Sequence, residues 1–162
     1  MSKLPEHDAL VRFVLDEARC LNDGRYADWL ALFAKNGRYW IPLQGAQQGE
    51  HDRHNALADE DRLLLGLRVD RLGNARAFSQ QPRSRSQHVL QTPQVEKAET
   101  DIPQFTLYTP FIYVESRGDE QLTLAGHWLH RLVLEEGHLR IALKRVNLLN
   151  ADARLPMIQL FP

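Results

Sequence analysis

Residues 102–150 decide the fold: IPQFTLYTPFIYVESR (102–117), EQLTLAGHWLHRLVLE (120–135) and EGHLRIALKRVNLLN (136–150). These are three long extended segments separated by short turns. In the third, Leu139, Ile141 and Leu143 share one parity while Arg140, Ala142 and Lys144 take the other, the period-2 alternation of a half-buried strand. The second places Leu122, Leu124, Trp128, Leu132 and Leu134 on one face. The first carries Phe105, Leu107, Phe111 and Tyr113 on one side and Tyr108, Ile112 and Val114 on the other, so both of its faces are partly covered. Gly118 and Gly137 supply the turns. Antiparallel strands of this length build a large, twisted, curved sheet. Pro110 marks an edge or a bulge, and the switch of apolar parity to Val146 and Leu148 predicts a bulge near Lys144 and Arg145.

Working outward, Pro5 to Leu21 reads as an amphipathic first helix (about 6–21) with Leu10, Val14, Ala18 and Leu21 on its apolar stripe and Glu6, Asp8 and Glu17 on the wet side. A short helix follows at 26–33, then a strand at 38–41 ended by Pro42. The cluster Tyr26, Trp29, Phe33, Tyr39 and Trp40 reads as a helix wedged on the sheet by bulky side chains, with an aromatic ligand patch as the other possibility. Residues 44–57 read as a polar loop. His51, Asp52 and His54 sit there together, but their spacing matches no strong metal motif. A third helix is predicted over 59–72, opened by Asp59, Glu60 and Asp61, with Leu64, Leu65, Leu67 and Leu72 as apolar surface and Asp61 paired to Arg68 or to a partner. Arg62, Arg68 and Arg71 exceed what a solvent face needs. Beyond Pro82, Arg83 and Arg85 suit bidentate pairing with carboxylates, in the fold or across an interface. A strand at 87–97 precedes those at 103–116, 121–134 and 138–149. The tail, with Leu155, Met157, Ile158, Leu160 and Phe161, either tucks under the sheet or is covered by another subunit.

The length of 162 residues fits one domain, 1–162. A net charge of −1 from 20 basic and 21 acidic side chains, evenly spread, argues against nucleic acid as a partner. The single cysteine, Cys20, forms no disulfide or thiolate cluster within the chain. Without a signal-like opening or a run of about 18 apolar residues, no membrane partner is expected and the location reads as cytoplasmic.

The order helix, short helix, strand, helix and curved sheet resembles the cone-shaped α+β roll of nuclear transport factor 2-like (cystatin-like) proteins, with N-terminal helices packed on a strongly curved antiparallel or mixed sheet. More closely, EARCLNDGRYADWLALF with RYWIPL, DEDRLLLGLRVDRL, QPRSRSQHVLQTPQV, FIYVESR and LAGHWLHRLV resembles the small (beta) subunit of bacterial aromatic-ring-hydroxylating dioxygenases, from Val11 to Phe161. That resemblance implies a non-catalytic structural subunit. It would form a homotrimer core and support three large (alpha) subunits, which cis-dihydroxylate an aromatic compound with O2 and NADH-derived electrons delivered by a reductase or ferredoxin. The Rieske [2Fe-2S] cluster and the mononuclear non-haem Fe(II) are expected in the large subunit, with no cofactor and no metal here. One cysteine is too few for a Rieske centre, which takes two with two histidines. Arg83, Arg85 and His88 match the family's proline–serine–arginine run with altered spacing, and Arg62, Arg68 and Arg71 match arginines of its third helix. LAGHWLHRLV departs from the family's glycine–arginine–arginine–glutamate–aspartate run, Trp128 standing for an acid, which implies a drier face. The residues expected to act as interface or structural elements are Arg62, Arg68, Arg71, Arg83, Arg85, His88, Trp128, Leu160 and Phe161.

Two other readings follow from the residues. One is a stand-alone dehydratase or isomerase of the same cone fold, with His88, His127, His130 and Asp61 as the acid/base candidates, His88, His127 and Asp61 first among them. His127 and His130 have opposite parity and do not converge on a regular strand. The other is a passive binding module, distinguished by whether its largest apolar surface is a pocket or a flat patch.

Overall fold

A computed structural model describes residues 3–51, 55–74 and 83–162. The elements are α1 (His7–Asn22), α2 (Tyr26–Leu30), β1 (Phe33–Pro42), a 3-10 turn (Gly45–Gln47), β2 (Ala56–Asp61), α3 (Arg62–Asn74), β3 (Arg85–Leu90), β4 (Gln94–Glu99), β5 (Gln104–Arg117), β6 (Glu120–Glu135) and β7 (His138–Leu148). The sheet order is β2-β1-β7-β6-β5-β3, with β4 pairing the other end of β5. Among the described residues only the β1–β7 contact is parallel, so the sheet is mixed. Alternation in β5 and β6 is followed closely: Phe105, Leu107, Phe111 and Tyr113 are buried, as are Leu124, Trp128 and Leu132.

Several elements depart from the sequence reading, each for a local reason. Asp59 to Asp61 lie in β2, paired with β1, and α3 begins only at Arg62. Asp61 caps it, its Oδ1 accepting from the Leu64 N–H at 2.9 Å. The acids therefore close a strand instead of opening a helix. The second helix stops at Leu30, because Phe33 already belongs to a ten-residue β1. The strand expected at 87–97 divides into β3 and β4 on either side of the buried Pro93. Within α3 the inward stripe is Leu65, Val69 and the half-buried Leu72, which leaves Leu63, Leu64 and Leu67 exposed.

The β7 bulge lies slightly earlier than expected. Arg131 pairs with Leu143 but Leu132 pairs with Ile141, so Ala142 is the extra residue. One extra residue reverses the facing of everything after it. Ile141 points inward before the bulge, and Lys144, Val146 and Leu148 point inward after it. Lys144, outward by simple alternation, is thereby turned into the core.

Candidate functional site

The interior of the cone is filled. Trp29, Phe33, Tyr39 and Trp128 have no exposed surface, and Trp29 packs edge-on against Phe33 and Tyr39 with ring centroids 5.0 and 5.7 Å away. The N-terminal aromatic cluster is thus a wedge between helix and sheet.

In this apolar interior lie three polar side chains, all wholly buried: Glu17 of α1, His130 of β6 and Lys144 of β7. Glu17 Oε1 accepts from Lys144 Nζ at 2.6 Å and from Trp29 Nε1 at 3.0 Å, while Oε2 meets His130 Nε2 at 2.6 Å. The Lys144 ammonium also lies 3.6 Å from the centre of the Trp128 ring, a cation–π contact. Burial alone would raise the Glu17 carboxyl, but Lys144 and His130 beside it hold it well below the usual carboxylate range. Burial lowers the Lys144 amine, and Glu17 opposes that shift. The triad is therefore an internal charge pair with a bonded imidazole, and both carboxylate oxygens are occupied. A general base needs an oxygen within reach of a substrate proton, and Glu17 offers none.

The sequence reading set Glu17 on the wet face of α1. Its spacing from Leu10, Val14 and Leu21 instead puts it near the middle of the apolar stripe, where it has no exposure. Trp128, which the sequence reading expects to make a drier face, is wholly buried and covers the Lys144 ammonium.

His88, His127 and Asp61 are not brought together, and the fourth acid/base candidate, His130, meets Glu17 instead of any of them. His88 is buried between Tyr113 and Trp128, at centroid distances of 4.9 and 5.1 Å. Its Nδ1 faces Asn22 Oδ1 at 2.9 Å and its Nε2 faces the Phe161 carbonyl at 3.0 Å. Burial, with Lys144, pushes its pKa down to about 3, against the pull of Glu17 and the Phe161 carbonyl. The neutral ring carries one proton and so serves one of its two oxygen neighbours at a time. His127 is on the opposite face of β6 from Trp128, stacked on Tyr108 at 4.7 Å, with Nε2 accepting from Asn147 Nδ2 at 3.0 Å. Burial and Arg145 lower its pKa. Asp61 is exposed and spent as a helix cap.

The remaining candidates separate into two groups. Trp128, Leu160 and Phe161 are buried inside the chain, at 0, 2 and 1 % exposure, so the end of the tail tucks in. Arg68 also turns inward: it pairs with Glu60, not Asp61, and donates to the Leu160 carbonyl at 2.7 Å. Arg71, Arg83 and Arg85 are exposed and Arg62 is half-buried. Arg83 and Arg85 border a cleft of about 500 Å³ with Asn22, Tyr26, Ser86 and Ser116. His51 is exposed; Asp52, His54 and Pro82 lie outside the described residues. Among the described residues no three His, Cys, Asp or Glu side chains are grouped to hold a metal. The Cys20 thiol is buried and donates to the Arg25 carbonyl at 3.1 Å. No helix among them is long and apolar enough to cross a membrane.

Reasoning from the sequence missed Glu17, His130 and Lys144 as a set, and Arg145 with them. Arg145 is 6 % exposed, donates to the Gly45 and Gln48 carbonyls at 3.2 and 2.6 Å, and lies over the Trp40 ring. It holds the 3-10 turn against β7. The even parity shared by Lys144, Val146 and Leu148 was the available signal.

Residues 16–154 match the family model described as ring hydroxylating beta subunit. The benzene 1,2-dioxygenase subunit beta of Pseudomonas putida is 25% identical over 120 residues, 70% of this chain. The chain spans 64% of that relative's length in the match. The solved beta subunit of benzoate 1,2-dioxygenase from Burkholderia mallei superposes with a TM-score of 0.73 at 20% identity, covering 93% of this chain and 94% of that one. ActVI-ORFA of Streptomyces coelicolor shares the fold at a TM-score of 0.58 and 13% identity, covering 87% and 93%. The architecture is the α+β, nuclear transport factor 2-like cone expected from the order of elements.

Proposed function

We propose that this chain, which belongs to the ring hydroxylating beta subunit family, is the non-catalytic structural subunit of an aromatic-ring-hydroxylating dioxygenase. In this reading it trimerises and supports three large subunits in the cytoplasm. The Rieske cluster, the mononuclear iron and the substrate pocket reside in the large subunits, and a reductase or ferredoxin supplies the electrons.

The single observation that carries the reading is the filled cone. Where a cone-fold enzyme would keep a pocket, this chain has Trp29 and Trp128 packed against the buried Glu17–His130–Lys144 triad, with Phe161 packed on Trp29. Apolar surface appears on the outside instead. Val89 and Ile112, 58 and 49 % exposed, are cross-strand neighbours on the outer sheet face, and Ala125 continues the row. Leu63 and Leu67 do the same on α3, at 72 and 55 %. Such surfaces suit subunit contacts, with Arg62, Arg71, Arg83 and Arg85 as polar contacts around them.

The test is reconstitution. The large subunit should turn over its aromatic substrate only when assembled with this chain. His127→Ala and Asp61→Asn chains that assemble normally should support the same rate. A loss of chemistry with intact assembly would place catalytic work in this subunit.

A further inference from the structure

Residues 158–162 contain no regular secondary structure, yet side chains from four separate elements hold their backbone. Glu115 of β5 accepts the Gln159 N–H at 3.0 Å and the Leu160 N–H at 2.8 Å. Arg68 of α3 donates to the Leu160 carbonyl at 2.7 Å, and the Tyr39 hydroxyl of β1 donates to the Pro162 carbonyl at 2.7 Å. His88 of β3 meets the Phe161 carbonyl at 3.0 Å. The Phe161 ring fills a socket made by Trp29, Tyr26 and Tyr39, at centroid distances of 4.5, 5.6 and 5.9 Å, with the Arg68 guanidinium 4.2 Å above it.

Most of these groups are oriented by the body of the protein and not by the tail. Glu115 is bonded by the Tyr113 hydroxyl at 2.6 Å, Arg68 is paired with Glu60, and the His88 backbone N–H is held by Asn22 Oδ1 at 2.8 Å, which leaves the ring free to donate to the Phe161 carbonyl. Trp29 is held by Glu17. Donors and acceptors in place before the ligand arrives, with an aromatic anchor in a pocket, are the ingredients of a peptide-recognition site. The connection back to β7 is anchored at points, by the buried Ala151 and by Leu155 against the core, and exposed between them: residues 152–154 are exposed, as are Leu149 at 82 % and Met157 at 79 %.

We infer that the groove formed by Tyr39, Arg68, His88 and Glu115 is a docking site for an extended peptide bearing one aromatic side chain, filled here by the chain's own residues 158–162 and open in trans to the same segment of a second copy. Recognition is of backbone, of the Phe161 ring and of the buried Leu160 side chain, so covalent attachment supplies local concentration and no contact of its own. The inference stands independently of the dioxygenase reading.

The experiment uses the full chain with a specific protease site inserted between Asp152 and Ala153. After cleavage the 153–162 peptide should coelute with the body on gel filtration, and a dye-labelled synthetic copy should exchange into it. A labelled peptide carrying Phe161→Ala should bind about a hundredfold more weakly, the loss expected for removing a buried ring. Departure of the native peptide without rebinding of the labelled copy would overturn the inference. Collapse of the tryptophan near-ultraviolet signal on cleavage would overturn it too, because the segment would then be part of the core and not a ligand.

Discussion

Lys144 Nζ lies 2.6 Å from Glu17 Oε1, and neither side chain has any exposed surface. This pair joins α1 to the centre of the sheet. A buried pair gains little over an apolar replacement, but removing one partner strands the other charge. Lys144→Met alone should therefore cost about 3–5 kcal/mol in denaturant unfolding. The triple replacement Glu17→Leu, His130→Leu, Lys144→Met should recover most of that loss. Equal losses in the single and triple variants would show that the charges do not act as a unit.

The pH dependence should come first from His88. Burial and Lys144 hold its pKa at about 3 against an ordinary 6.5, so the unfolded chain binds its proton over that range while the folded chain does not. Stability from this group is fully present above pH 6.5 and falls on acidification, by up to about 1.4 kcal/mol per pH unit. Glu17 has the same sign at lower pH: its contribution is present above its ordinary 4.5 and lost as pH falls through its depressed folded value. His88→Gln should flatten the slope between pH 6.5 and 4.5 in chemical denaturation. An unchanged slope would assign it to other groups.

Gly126 tests the close approach of β6 to β7. A Cβ there would stand 2.0 Å from the Asn147 carbonyl oxygen, a backbone atom with nowhere to move. Gly126→Ala should destabilise by about 1–3 kcal/mol, read from the thermal midpoint. A neutral result would mean that the strands separate there at no cost.

Much of the architecture was legible because period-2 alternation survives in β5 and β6, and because Gly118 and Gly137 adopt the positive φ their turns require, 58° and 81°. The differences from the sequence reading have separate causes, of which side-chain charge is one. Glu17 sits in the apolar stripe of α1 in spite of its charge, and Lys144, outward by alternation, is turned inward by the bulge before it. Asp59 and Glu60 were given to a helix because acids favour helix starts, yet they pair across to Trp40 and Tyr39 of β1. The triad could not be assembled from sequence because Glu17 is more than a hundred residues from both His130 and Lys144 and meets them only when α1 crosses the sheet.

Asp61→Ala removes the cap of α3 and should cost about 1 kcal/mol in thermal unfolding. It should leave turnover of the assembled enzyme unchanged, in contrast to a catalytic acid or base.

Ile112→Glu on the outer sheet face should alter the chain's own stability by no more than about 0.5 kcal/mol. It should nevertheless weaken assembly, because a charge enters an apolar contact. Urea unfolding of the lone chain and sedimentation of the mixture separate the two effects. Normal assembly would exclude this face from the contacts.

The most direct test of the central claim is the native mass of this chain with its large subunit, with iron counted per complex. The account predicts a trimer of the chain alone and a three-plus-three complex in the mixture, with all the iron retained by the large subunit on separation. A monomer that ignores the large subunit, or iron that travels with this chain, would contradict it.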